Sequence, residues 1–191
     1  MKKIVWFLIC IPLLLTSCKT STEQEDITML LVKANELSRL ELAANNVRTK
    51  IRINPNNDGQ LGWKKVFGSR ETVLEINTRV SAYCDFSHID QSSIHKGEDG
   101  TYTIKLPEIT IVKEMEDLKH RIVKEADPMR SPLSENEIEE ILHKKREIIQ
   151  RYIDGAIEKV KPQMIASAHK AAERRLSQKL SEMELPVKII Y

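Results

Sequence analysis

The feature that most constrains this chain is a change of hydrophobic period partway along it. From Thr72 to Phe86, Leu74, Ile76, Val80, Ala82, Cys84 and Phe86 share one parity, while Glu75, Asn77, Arg79, Ser81 and Asp85 share the other. Successive side chains of a strand point to opposite faces, so this is one long strand with a core side and a solvent side. From Ile138 the spacing becomes three or four: Ile138, Leu142, Ile149, Ile153, Ile157 and Val160, then Ile165, Ala168, Ala172, Leu176, Leu180 and Met183. That is the period of an amphipathic helix. Strands first and helices afterwards predict an α+β fold.

The flanking segments fill in the order. Ile27, Leu30, Leu31, Ala34 and Leu37 form one stripe, a short helix over Ile27 to Ser38. From about Asn45 the pattern alternates, with Val47, Thr49, Ile51 and Ile53 against Arg48, Lys50 and Arg52, a half-buried strand. Asn54 to Gly59 supplies turn chemistry. Tyr102, Ile104 and Leu106 alternate again, Pro107 interrupts because it lacks an amide donor, and Ile109 to Val112 resumes. Strands in sequence with mostly short links predict an antiparallel β-meander. Ser134 and Glu137 form a capping box with Leu133 and Ile138 at the staple positions, which predicts a helix start. Pro162 is expected to kink or divide the helical run, Pro186 to end it, and Val187 to Tyr191 to add a short last strand.

The first residues read as a targeting segment. Lys2 and Lys3 precede a 12-residue apolar run, Ile4 to Leu15, too short for a membrane-spanning helix and of secretory-signal length. Leu15, Thr16, Ser17 and Cys18 then resemble a bacterial lipobox: an aliphatic residue, two small residues and a cysteine whose thiol accepts a diacylglyceryl group. The expectation is a signal peptide over 1–17, lipid on Cys18, a polar tether through Asp26, and a single α+β domain over 27–191. Lys19 follows where an aspartate would retain an enterobacterial lipoprotein at the inner membrane, which by analogy favours the outer membrane.

Removing residues 1–17 leaves 174 of the 191 residues and equalises the charges, with 28 basic against 28 acidic side chains. A neutral chain offers no electrostatic case for nucleic acid. Only Cys84 remains as a free thiol, so no disulfide can form within one processed chain.

Three stretches carry a family likeness: Val66 to Ile89, a long strand with an aspartate near its end; Tyr102 to Ile109 with Leu106-Pro107-Glu108 at its centre; and the closing order of Ala-bearing helix, proline and apolar strand. In this the chain resembles the bacterial domain of unknown function 4230 family. Cys84 and Phe86 stand where that family often has Gly and Leu. The resemblance implies an envelope or membrane-anchored α+β domain and carries over no catalytic residue.

No constellation identifies a reaction. Asn54, Asn56, Asp58 and Gly59 imitate half of a calcium loop, but position 12 is Lys65, a cation where the loop needs a bidentate Glu. His88, His95, His120, His143 and His169 lack zinc-ligand spacing. Cys84 falls on a strand's core face, where a thiol is a small hydrophobe. The sequence therefore predicts no metal or cofactor and a non-catalytic binding or structural domain tethered through Cys18. Its partners are the membrane and an envelope protein or a second copy through the C-terminal helices. The alternative is an envelope enzyme using Asp85, His88 and His95.

Overall fold

A computed structural model describes residues 22–54, 68–114 and 120–191. Helix α1 covers residues 22–35, followed by β1 (Arg39–Ile53), β2 (Thr72–Asp85), β3 (Ile94–Lys96), β4 (Tyr102–Lys105), β5 (Thr110–Glu114) and β6 (His120–Lys124). Helices α2 (Glu135–Lys144) and α3 (Arg146–Leu180) precede the last strand, β7 (Val187–Ile190). This is an α+β fold. The strands divide between a four-stranded sheet, ordered β1-β2-β5 with β6 also paired to β2, and a three-stranded sheet, β3-β4-β7. β2–β6 and β3–β4 are antiparallel. β4–β7 is parallel, which the long helical crossover between them permits.

The described residues gather into two compact units. The first contains residues up to Leu42, Tyr83–Thr110 and Ala168–Tyr191. Its core holds Leu30, Phe86, Tyr102, Ile104, Ala172 and Leu176, each at most 1% exposed. Asp26 on the first turns of α1 accepts a 2.7 Å hydrogen bond from the hydroxyl of buried Tyr102. Lys179 pairs with Glu36 just beyond the other end of α1, at 2.6 Å. Residues 22–26, expected as tether, are therefore helical, and one of them is bonded into the fold.

The second unit contains Ala43–Ala82 and Ile111–Ser167. Val47, Ile51, Ile53, Leu74, Ile76 and Val80 are buried here, as the alternation predicts. The other face of β2 is less simple. Glu75, expected to face solvent, is only 6% exposed. Arg121 of β6 lies opposite it and donates to its carboxylate at 3.0 Å, so a neighbouring strand covers and neutralises it. Ser81 is fully buried and its hydroxyl lacks a hydrogen-bond partner among the described residues.

The helical run also breaks elsewhere than expected. It is interrupted at Lys145, whose amide closes the last turn of α2 onto Ile141, and it continues unbroken through Pro162. Pro162 is exposed, so the carbonyl it leaves without a donor has water available. The buried stripe slips by one residue beyond it, Met164 taking the core position instead of Ile165.

Candidate functional site

In the second unit, β5 and α3 enclose a groove of about 430 Å³. Ile111 and Lys113, two residues apart, reach it from one face of β5. Asp154, Ile157, Glu158 and Lys161 follow the i, i+3, i+4, i+7 spacing that aligns side chains on one face of a helix. Lys113 Nζ lies 2.6 Å from Asp154 Oδ1, and Lys161 Nζ 3.1 Å from Glu158 Oε1. Two isoleucines thus lie beside two closed ion pairs. The groove has the size of a small-ligand site. Its charges neutralise one another, so it is suited to holding an apolar or net-neutral group rather than an ion.

A second polar assembly surrounds the start of α2. Ser134 and Glu137 form the predicted capping box, the Glu137 carboxylate accepting from the Ser134 amide at 2.9 Å. Leu133 and Ile138 are buried as the staple requires. Arg70 adds what the sequence does not reveal: it donates to both Glu137 oxygens, at 3.1 and 3.0 Å, and to the carbonyls of Ser131 and Pro132. The guanidinium first, and the Ser134 amide and hydroxyl next, hold the Glu137 carboxyl down at about 2. Beside it, Ser69 and Asp127 exchange bonds through the Ser69 amide, at 2.7 Å, and the Asp127 amide, at 3.1 Å. Gly68 has φ +79, and an added Cβ would come within 2.4 Å of the Asp127 carboxylate. These contacts saturate one another and fasten the strand-leading loop to the helix start.

The residues singled out from the sequence are only partly brought together. Asp85 caps a short 3₁₀ turn, accepting from the Ser87 amide at 3.1 Å and its hydroxyl at 2.6 Å. The Ser87 bonds, helped by the charges of His88 and Arg39, hold its carboxyl below the usual range. His88 Nε2 is 4.0 Å from Asp85 Oδ2, with its side chain 75% exposed. In a hydrolase triad the imidazole stands between hydroxyl and carboxylate. Here the carboxylate stands between, so His88 cannot draw a proton from Ser87. His95 is exposed on β3 opposite Thr103, and no hydrogen bond or ion pair joins it to the other two.

Cys84 is fully buried, its sulfur 3.9 Å from the Pro107 carbonyl. Burial first, and the charge of Asp85 second, push its thiol up to about 11, so it is protonated at neutral pH. His143 is exposed, and His169 stacks on Tyr191 with ring centroids 4.4 Å apart. Among the described residues no cluster of His, Cys, Asp and Glu is placed to hold a metal ion, and no helix is long and apolar enough to cross a membrane. Cys18 and all but Asn54 of the calcium-like loop lie outside the described residues.

Of the groove's helical residues the sequence pattern marks only Ile157, as part of the core stripe. Which strand would face it left no mark, because no local pattern pairs Lys113 with Asp154. Residues 33–189 match the family described as Protein of unknown function (DUF4230). No curated protein and no solved structure matches the chain.

Proposed function

We propose for this chain, which belongs to the DUF4230 family, the role of a non-catalytic binding or structural domain held at a bacterial envelope membrane by lipid on Cys18. The observation that carries this reading is the order of Lys2-Lys3, the apolar run to Leu15, and Leu15-Thr16-Ser17-Cys18. Several acyl chains on one cysteine exceed the marginal, reversible binding of a single chain. Lys19 favours delivery to the outer membrane. The groove between β5 and α3, apolar in part and charge-balanced, is the surface for a bound group. The placing of Asp85 between Ser87 and His88 speaks against the enzyme alternative, because it offers no activated nucleophile.

Intact-mass measurement of protein taken from membranes tests the anchor. Wild type is expected to start at Cys18 and to carry acyl mass. Cys18→Ser is expected to carry none and to remain as unprocessed precursor or soluble protein. A wild-type chain without acyl mass overturns the reading.

A further inference from the structure

Within the second unit, the outer face of α3 carries two large apolar side chains among its charged ones. Ile148 and Tyr152, one turn apart, are 47% and 64% exposed. Gly155 continues the stripe, and apart from its chain neighbours and the helix's own backbone no atom of the described residues lies within 4 Å of the place its Cβ would occupy. Glycine is second only to proline in disfavouring a helix interior, and nothing packed against it among the described residues accounts for it. Close approach of a second helix does account for it, since a missing side chain lets two backbones cross.

We propose that two copies of the chain pair through this face, with their α3 helices crossing antiparallel at Gly155. At about 100° per residue, Tyr152 and Lys159 lie on one flank of Gly155 and Arg151 and Glu158 on the other. A two-fold axis there therefore sets like flank against like flank, each pair equidistant from Gly155 to within one residue. Ile148 then meets the ring of Pro162 from the other copy, and Tyr152 covers the aliphatic stem of Lys159. Arg151 of each copy falls beside Glu158 of the other. That charge match selects the occupant and its direction. Arg151 has no carboxylate partner among the described residues, and Glu158 engages Lys161 through Oε1, leaving its second oxygen for Arg151. In a parallel pair the same two residues would lie about 10 Å apart along the axis, at 1.5 Å per residue. A helix pair of this length buries a surface at the low end of specific interfaces, so the dimer is weak in dilute solution. The inference rests on the second unit alone and holds with or without lipid on Cys18.

The test uses the full chain, purified in detergent with a reductant so that Cys18 and Cys84 cannot cross-link. Light scattering, with the detergent contribution subtracted, follows mass against concentration. Wild type is expected to rise from one chain to two. Arg151→Glu and Glu158→Arg should each shift that rise to about tenfold higher concentration or beyond, the scale of a lost interfacial charge pair. The double reversal, Arg151→Glu with Glu158→Arg, should restore it. Both side chains are exposed, so circular dichroism should be unchanged in every variant. The reversals also separate true pairing from two anchors sharing one micelle. A wild type that stays single at every concentration, single reversals that associate normally, or a double reversal that fails to rescue would each overturn the proposal.

Discussion

The two halves of α3 are built differently. From Arg146 to Met164 the helix buries Ile149, Ile153, Ile157 and Met164, and still shows Ile148 and Tyr152 to solvent. From Ala168 to Leu180 it buries Ala168, Ala172, Leu176 and Leu180, while Lys170, Glu173, Arg174 and Gln178 are exposed. One half shows two large apolar side chains on its otherwise charged outer side; the other has one apolar side and one solvated side. The buried side chains differ as well. Isoleucines fill space across a gap, whereas fully buried alanines leave no room for anything larger, since interiors are close-packed. The lesson is that helical periodicity marks a core face but does not say whether the opposite face is finished.

Cutting into the core of each half should have the largest effect. Ile153→Ala and Leu176→Ala should each cost about 2–5 kcal/mol in urea unfolding, the usual range for a buried aliphatic side chain. If either cost under about 1 kcal/mol, that half would not be a core helix. Next comes the tightness of the alanine half. Ala172→Leu should destabilise by about 1–3 kcal/mol through overpacking, while Ala166→Leu, at an exposed position between the two halves, should stay within about 0.5 kcal/mol. Equal shifts in the two melts would erase the contrast in packing.

The smallest expected effect concerns the ends. The helical region begins at the clamp of Ser134, Glu137 and Arg70, and runs out through a 3₁₀ turn with no side-chain cap and a left-handed Glu184. Ser134→Ala should cost about 0.5–2 kcal/mol and Ser134→Gly only a few tenths. The clamp should also be pH-dependent. The Glu137 carboxyl is lowered in the folded chain to about 2 from its ordinary 4.5. Its contribution is therefore complete above the unfolded value and is lost as pH falls from there towards 2. In Arg70→Met the titration of the Glu137 carboxyl, followed by NMR, should move up towards the ordinary range. An unchanged titration would show that Arg70 is not what holds it.

What could be read in advance was what depends on neighbours in the chain. The capping box and its staple span a few residues, and the core face of β2 follows from alternation alone. Glu75 departs from the alternation because its cover comes from Arg121, a strand away. β1 begins at Arg39, well before the alternation that marks its second part, because pairing with β2 does not need a patterned face. The start of α1 did leave a sign. Glu23, Glu25 and Asp26 are placed where a helix N-terminus favours negative charge, although polarity alone suggested a tether. Arg70 left none, since an arginine after Gly-Ser carries no local indication of a carboxylate 67 residues further on.

That early start of α1 sets a height. Counting from Cys18 to Thr22, the connecting chain spans four residue steps, at most about 14 Å when fully extended. With lipid on Cys18, the first unit cannot ride above the bilayer on a long leash, as it could if the fold began at Ile27. It must graze the headgroups, and anything it binds has to reach it sideways along the membrane or lie within the same thin layer. Confinement to such a layer raises the local concentration of every copy, the condition under which a weak pairing of like chains becomes populated.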